Sequence, residues 1–480
     1  MIKSICWFRQ DLRIHDNPAL YNASKEGEVL PLYILDEDLP SEEALGAASK
    51  VWLHHSLESL NKNLDSNLIV KKGKPAEILM ELVDLYSIDD IHWNRCYEPS
   101  SINRDKAIKK IFEEKGIDTK SYNGSLLWEP WDVLKDDGTP YKIFTPFYRR
   151  ASLNGPELRE VLPKPKKISY IGEESPTNIS DLGLLPSIEW NKKIEGIWSI
   201  GEDVAYKRLD SFLEDGLEGY REGRNFPSKN NVSCLSPYLH FGEISPNYIW
   251  NKVSSQKNNY YIQDTEHFCS EIAWREFSYY LLYHFPGLPK HNLNQKFNVF
   301  PWQEDEHLLK LWQRGKTGIP IIDAGMRQLW ETGYMHNRVR MIVASFLVKN
   351  LLINWRCGAK WFWDCLVDAD LANNSASWQW VAGCGTDASP YFRIFNPVTQ
   401  AQKFDPEGEY IRKYVPELKN LSNKYLFSPW EAPKPFLQEA GVFLGKDYPH
   451  PIVDLKESRT RALEAFSTLK YPLPGKHFLK

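Results

Sequence analysis

The first 130 residues alternate short β-like runs with stretches of helical periodicity, and no other feature of the chain restricts its fold as much. "KSICWF" reads as a strand, and Asn17 followed by Pro18 supplies an N-cap with proline at the first helical position. "VLPLYILD" is the next strand, and "SKVWLHHSLESLNKNL" carries apolar residues at helical spacing. "NLIVKKG", "PAEILMELVDLY", "DDIHWNR" and "RDKAIKKIFEEKG" continue the alternation. The expected fold is α/β: a doubly wound, Rossmann-like parallel sheet with helices on both faces. Such sheets bind ligands at the carboxyl ends of their strands. Here the first strand runs into "RQDLRIHDNPAL" with no glycine loop, so the usual mode of dinucleotide binding is not expected.

A chain of 480 residues exceeds one simple core, and two domains are expected. Residues 1–130 form the α/β domain. Residues 131–200 read as an inter-domain connector, with Pro156, Pro163, Pro165, Pro176 and Pro186 and few apolar periods. Residues 201–480 read as all-α, from "DVAYKRLDSFLEDGLEGY", "HFCSEIAWREFSYYLLYHF" and the long "DAGMRQLWETGYMHNRVRMIVASFLVKNLLI". The start, "MIKSICWFRQDLR", has too short an apolar run for a signal peptide. The most apolar stretch, "MIVASFLV", is eight residues long, so no membrane span is expected. Seven cysteines with no CxxC and no metal-ligand spacing suit reduced thiols in a cytoplasm. A net charge of −4 does not announce nucleic acid, but it leaves room for a local basic groove. "GCGTDA" fits a glycine fingerprint by spacing, yet it follows a tryptophan-rich helix rather than a strand and reads as a chance match.

Tryptophan is unevenly spread. Ten of the 18 (250, 274, 302, 312, 330, 355, 361, 363, 378 and 380) fall within 131 residues. For most of them a helical core is the plain reading. Three groups ask for more, because residues three or four apart on a helix share a face. Glu271, Trp274 and Arg275 lie in "EIAWREF", Asn337 and Met341 in "MHNRVRM", and Asn374 and Trp378 in "LANNSASWQW". Together they supply a carboxylate, amides, an indole face and a thioether, the parts of a pocket for a flat ligand with a hydrogen-bonding edge. Asp368, Asp370 and Arg340 add charges that are costly to bury unless paired or ligand-bound. Arg224, Arg275, Arg338, Arg340, Arg393 and Lys403 interleave with aromatics such as Trp274 and Trp380, which suits a nucleic-acid contact surface.

These motifs carry a resemblance. With "CWFRQDLRIHDNPAL", "LSPYLHFGEISP", "EIAWREF", "MHNRVRMIVASFLVKNLLINWR", "DADLANNSASWQW" and "PYFRIFNPVTQAQKFDPEGEYIR", the chain resembles the photolyase/cryptochrome superfamily over essentially its whole length. It is most similar to the cyclobutane pyrimidine dimer (CPD) photolyases of the class I type. The resemblance implies an antenna-type α/β domain followed by an all-α domain that holds one FAD, reduced in the active form. It implies flavin contacts at Tyr220, Val232, Ser233, Cys234, Leu235, Ser236, Phe268, Glu271, Asp368, Ala369 and Asp370, with Arg340 pairing Asp368. Asn374 would face the flavin ring nitrogen that takes up a proton on reduction. Trp378, Trp355 and Trp302 match an electron relay. Glu271, Trp274, Asn337, Met341 and Trp380 match a lesion pocket, and Arg224, Arg275, Arg338, Arg393, Gln400 and Lys403 match DNA contacts. A second antenna chromophore, methenyltetrahydrofolate or a deazaflavin, is implied near Asn94, Glu98 and "FTPF". No metal is implied.

The implied function is light-driven repair of UV-damaged DNA: excited reduced FAD donates an electron to a flipped-out dimer, which splits, and the electron returns. The enzyme would be a carbon–carbon lyase, monomeric, in a bacterial-type cytoplasm and on the nucleoid when bound to DNA. In (6-4) photolyases histidines stand at the positions of Asn337 and Met341, which opposes that alternative. A cryptochrome-type photoreceptor shares fold and flavin; the lesion set, and the lack of a long polar tail after "ALEAFSTLKYPLPGKHFLK", favour repair. Two departures stand out. The flavin loop reads "VSCLSP" where relatives often read TSRLSP, so Val232 lacks a hydroxyl and Cys234 replaces a basic side chain. FAD affinity survives this if the loop binds phosphate through backbone N–H groups, and weakens if the side chains matter. Ser375 stands where relatives often have a second asparagine.

Overall fold

The computed structural model describes residues 1–172, 178–255, 261–388, 390–391 and 393–469. Pro176 of the expected connector and the chain end from residue 470, on which the reading of a missing tail rests, lie outside them. The chain divides into two compact units. The first comprises Met1–Arg221, Asn231–Pro286 and Val367–Asn373; the second comprises Glu222–Asn230, Gly287–Leu366 and Asn374–Lys480.

A parallel sheet organises the first unit: β1 (Ile2–Phe8), β2 (Gly27–Asp36), β3 (Ile69–Gly73), β4 (Asp90–Asn94) and β5 (Asp118–Tyr122) in the order β3-β2-β1-β4-β5, with β6 (Ser169–Tyr170) beside β2. Alternate strand residues share a face. Ile5 and Trp7, Leu30, Leu32 and Ile34, and Ile91 and Trp93 thus form one apolar layer, covered by Leu79, Leu82 and Val83 of helix Pro75–Tyr86 and by Ile108 and Phe112 of helix Pro99–Glu114. Each such side chain contributes about 1.5–3 kcal/mol by leaving water. The expected α/β domain is therefore present. The sequence reading missed β5, because "DTKSY" has no apolar alternation; its ladder with β4 needs only main-chain groups. Its Lys120 Nζ also reaches Glu26 at 2.6 Å and Asp90 at 2.9 Å.

The order of strand connections switches between the neighbouring strands β1 and β4, which is where open α/β sheets hold ligands. Side chains fill that position here. Arg9 donates to Asp105 at 2.7 Å and to the Asn94 carbonyl. Asn94 Nδ2 donates to Asp11 (2.6 Å) and to Asn17 (2.8 Å), and Asn17 caps helix Pro18–Glu26 through the Leu20 N–H. Residues 131–200 contribute helix Phe144–Asn154, β6 and helix Lys192–Ile197, all in the first unit. Helix Ile262–His284 is the longest of this unit.

Helices also build the second unit. The stretch read as one long helix from Asp323 onward is three pieces. Helix Pro320–Thr332 ends at Gly333, whose φ of 67° is left-handed and suits glycine. Helix Asn337–Ser345 then restarts on the His336 cap and widens into a π turn at Phe346–Asn350. Apolar periodicity runs through both breaks, so the pattern alone concealed them. "GCGTDA" follows helix Leu371–Ala382 as its C-terminal turn, with Cys384 and Gly385 N–H groups returning to the Gln379 carbonyl. Among the described residues no helix is long and apolar enough to cross a membrane.

Glu243 lies wholly buried in the first unit and accepts a hydrogen bond from Trp52 Nε1 at 3.1 Å. Burial pushes its carboxyl up from 4.5 to about 8. The folded state thus keeps a proton that the unfolded chain releases above 4.5, so wild-type stability falls as pH rises from there through about 8. Glu243→Gln imitates the neutral acid. In urea unfolding at a series of pH values, this variant is expected to match wild type near pH 4.5 and to exceed it progressively up to pH 8.

Candidate functional site

In the first unit the loop Asn231–Leu235 leads into the short helix Ser236–His240. Cys234 holds a φ of 50°, the left-handed region, while Leu235 is right-handed (φ −86°, ψ −7°). Successive residues of opposite hand turn their N–H groups toward one concavity, a nest that suits an anion. A non-glycine residue there costs on the order of 1–3 kcal/mol and marks a backbone held in place by its surroundings. Ser236 Oγ donates to Asp368 Oδ2 at 2.6 Å, so two of the predicted flavin segments meet. Leu235 and Ala369 are buried and apolar, which leaves only their main chain for a ligand. Tyr220 and Phe268 pack edge to face at 5.3 Å over Phe212.

Asp370 has a different task. Its Oδ1 accepts from Asn373 N and Nδ2, both at 2.7 Å, and its Oδ2 accepts from the Tyr279 hydroxyl with His240 Nδ1 at 3.5 Å. Burial opposes ionisation, but His240, Arg275 and Tyr279 outweigh it and hold the carboxyl at about 2. With its acceptors committed, Asp370 is a charged cap for the following helix rather than a ligand group.

Helix Ile262–His284 carries Glu271, Trp274 and Arg275. Trp274 stacks on Phe144 at 3.8 Å and 10°. Phe144 opens the "FTPF" segment, so that segment supports the indole of Trp274. Arg275 departs from expectation. Only 11% of its side chain is exposed, and its guanidinium bonds Ser125 O and Glu276, both at 3.0 Å. It is a structural ion pair and is not carried forward as a DNA contact. Asn94 is equally committed, as described above, and its Oδ1 accepts from Ala19 N. Glu98 bonds Gln10 at 2.9 Å and leaves its other carboxylate oxygen buried without a partner among the described residues.

In the second unit, Asn374 and Trp378 form one face of helix Leu371–Ala382 and dock on the backbone of helix Trp355–Cys365. Asn374 Nδ2 donates to Ala359 O at 3.0 Å, which fixes the amide against the neighbouring helix. A Cβ on Gly358 would meet the Trp378 ring at 2.1 Å, so the indole lies on bare backbone. Trp355 begins the same helix one turn earlier, and its Nε1 donates to Asn292 at 2.9 Å. Trp302, only partly buried, packs on Phe300 at 4.4 Å. Gln379, between the two tryptophans, bonds Leu288 O (2.7 Å), His291 O (2.8 Å) and Leu293 N (3.0 Å) and fixes the roll of the helix.

Asn337 is exposed at the start of helix Asn337–Ser345, with Met341 one turn on. The preceding His336 is buried. Its Nδ1 accepts from Arg338 N, and burial, then Arg224, Arg338 and Arg340, push its pKa down to about 3. It is a neutral cap and no proton donor. Arg338 lies over the Phe404 ring at 4.4 Å, donates to Asn225 and approaches Met341 Sδ at 3.6 Å. Lys403 lies over the same ring at 5.3 Å, and Gln400 precedes it on helix Pro397–Phe404. Arg340 Nε donates to Met335 O at 2.7 Å. Sequence reasoning missed Phe144, Gly358, Phe404 and Gln379. Of these only Gly358 left a signal, as a glycine inside a helix of bulky residues.

Each unit by itself offers groups of a kind that suits a flavin: in the first, a main-chain anion cradle beside a serine–aspartate pair; in the second, an anchored amide next to a buried indole. Comparison with known proteins agrees. Residues 4–166 match the family described as DNA photolyase, and residues 268–468 match the FAD binding domain of DNA photolyase. A deoxyribodipyrimidine photo-lyase of Agrobacterium fabrum is 47% identical over 97% of this chain and 98% of its own. Cryptochrome-2 of Arabidopsis thaliana is 37% identical over 97% of this chain and 79% of its own. A crystal structure described as a bacterial class III photolyase, from Agrobacterium tumefaciens, superposes with a TM-score of 0.94 at 46% identity, covering 98% of each chain. The chain belongs to the DNA photolyase/cryptochrome family and carries its FAD-binding domain. The class I reading is not supported, since the relative of that structure is a class III enzyme.

Gly358→Ala tests the docking. The added methyl must displace the Trp378 ring, an overpacking cost of about 1–3 kcal/mol. Photoreduction of the bound flavin under blue light with an external reductant is expected to slow at least severalfold, against a smaller change in FAD content.

Proposed function

We propose that this chain repairs cyclobutane pyrimidine dimers in UV-damaged DNA by light-driven electron transfer. The observation that carries the lesion class is the start of helix Asn337–Ser345: an exposed amide at Asn337, with the neighbouring histidine locked as a neutral cap. A (6-4) lesion asks for a histidine able to give a proton at that place. Asn337 offers a hydrogen-bonding amide that suits an intact base edge.

FAD would be held by the Val232–Ser236 loop, Tyr220, Phe268, Asp368, Arg340 and Asn374. The loop would bind phosphate through main-chain N–H groups, which makes the side chains of Val232 and Cys234 immaterial to it. The Oδ1 of Asn374, whose Nδ2 is held by Ala359, would accept a hydrogen bond from the N–H that the flavin ring gains on reduction. When bound, reduced and excited by light, the flavin supplies the electron that opens the cyclobutane ring and takes it back, without net redox. Trp302, Trp355 and Trp378 would relay electrons inward to restore the reduced state. Arg224, Arg338, Arg393 and Lys403, with Gln400, would hold the DNA backbone without reading sequence. Trp274, Trp380 and Met341 would pack on the extruded dimer, and Glu271 and Asn337 would bond its base edges; extrusion costs a few kcal/mol, less at a damaged pair. A second, antenna chromophore and a monomeric state in the cytoplasm, on DNA when bound, complete the proposal.

Photoreduced protein would be incubated with duplexes carrying a thymine dimer or a (6-4) product, and restored thymines scored in blue light and in darkness. Repair of the dimer alone, and only in light, is expected. Repair of neither lesion by flavin-loaded protein would leave a cryptochrome-type photoreceptor as the better account. Glu271→Ala is expected to lower the yield about tenfold, the effect of leaving a base edge unpaired at about 1–3 kcal/mol. Cys234→Ala is expected to keep FAD affinity, measured by flavin fluorescence, within about threefold, because the cradle is main chain.

A further inference from the structure

Lys349 is a buried cation of the second unit with no carboxylate partner among the described residues. It lies on the π turn Phe346–Asn350 and is 2% exposed. Fully buried lysines are rare and costly unless paired. Lys349 Nζ instead donates to the Arg393 carbonyl at 2.9 Å and lies 5.5 Å from the Tyr391 ring centre. Burial, then the charge of Arg393, push its pKa down to about 8.

What the fold gains from this arrangement is an anchored segment. Tyr391 is buried, stacked on Phe466 at 4.9 Å and set against Phe300 at 5.2 Å. The Tyr391 hydroxyl has no hydrogen-bond partner among the described residues, so only its ring holds it. The Arg393 N–H returns to Pro390 O at 2.9 Å, which closes a turn, and the Arg393 side chain is exposed. Tyr391 is therefore held by its ring and Arg393 by its carbonyl, with the Arg393 guanidinium left outside. The π turn is what brings a lysine inward to that carbonyl, since one extra residue per turn shifts the helix face.

We propose that Lys349 is a positioning residue for DNA binding: its buried Nζ holds the Arg393 main chain so that the Arg393 side chain is presented to the phosphate backbone. This rests on the DNA-contact role proposed above for Arg393. Lys349 itself touches no DNA, so its effect must pass through Arg393.

The test is a double-mutant cycle on the flavin-loaded full chain, using a duplex that carries one thymine dimer and a salt titration. Arg393→Ala is expected to weaken binding and to reduce the salt slope by about one. Lys349→Met keeps the aliphatic stem and removes the donor; it is expected to weaken binding about five- to tenfold, with the yield per absorbed photon at saturating DNA unchanged. The double variant is expected to bind no worse than Arg393→Ala alone. Losses that add, or a Lys349→Met variant that binds like wild type, overturn the proposal. Wild type that binds no dimer duplex overturns both this proposal and the reading it rests on. Thermal melting and flavin content establish that each variant is folded, and Lys349→Leu enters the same cycle if the methionine variant is not.

Discussion

The contact on which the second unit's chemistry depends is an indole lying on bare backbone. Trp378 can reach helix Trp355–Cys365 only because residue 358 has no side chain, and the next residue along, Ala359, offers the carbonyl that Asn374 takes. Amide and indole are four residues apart on one helix, and their two receptors are adjacent on another. One helix–helix contact thus orients both groups, and neither can be adjusted without the other. Gln379 adds a third restraint on the same helix, about 120° from the middle of that face by helical geometry, through three main-chain groups of residues 288–293. Side chains fixed in this way do not depend on a ligand for their placement, which suits the electron relay proposed above.

The first unit handles buried charge by opposite means at two carboxylates. Asp370 and Glu243 are both buried, yet one is held ionised at about 2 and the other is pushed up to about 8. The difference lies in the neighbours. Asp370 meets a tyrosine hydroxyl, an imidazole, an amide and a main-chain N–H, with Arg275 near enough to add its charge. Glu243 meets the Trp52 indole at one oxygen, and its other oxygen has no partner among the described residues. Burial has the same sign at both, and the positive charges of His240 and Arg275, present only at Asp370, decide which state survives. The ionised aspartate stands at the start of the helix bearing Asn374 and Trp378, so that helix begins on a fixed charge.

What could be read from the sequence follows the physics of each signal. Strands β1 to β4 were legible because their buried faces force apolar runs. β5 was not, because a polar ladder on the edge of a sheet leaves no hydrophobic trace. The pairs Glu271–Trp274, Asn337–Met341 and Asn374–Trp378 were legible because helical spacing puts each pair on one face. Their supports were not, since Phe144, Phe404 and Gln379 act at long sequence separation, and only a fold brings such residues together. Arg275 shows the limit from the other side. Its place in "EIAWREF" beside a lesion-pocket tryptophan suggested DNA, but one residue of helical rotation turns it inward to Glu276 and Ser125.

The flavin loop carries the general point furthest. "VSCLSP" departs from its relatives at the two side chains that would be the obvious phosphate ligands, which on side-chain reasoning predicts a weakened site. The backbone argues otherwise. Cys234 is held in the left-handed region, a conformation that a cysteine does not choose by itself. That strain persists only if the surrounding structure imposes it, and Ser236, bonded to Asp368, and Pro237 at the head of the next helix are in place to do so. A loop whose shape is set from outside presents the same N–H groups whatever residues 232 and 234 are. Substitution there is then tolerated because the function, in the reading proposed above, belongs to the main chain. What matters at such a position is a dihedral angle, which a motif written in side chains does not record.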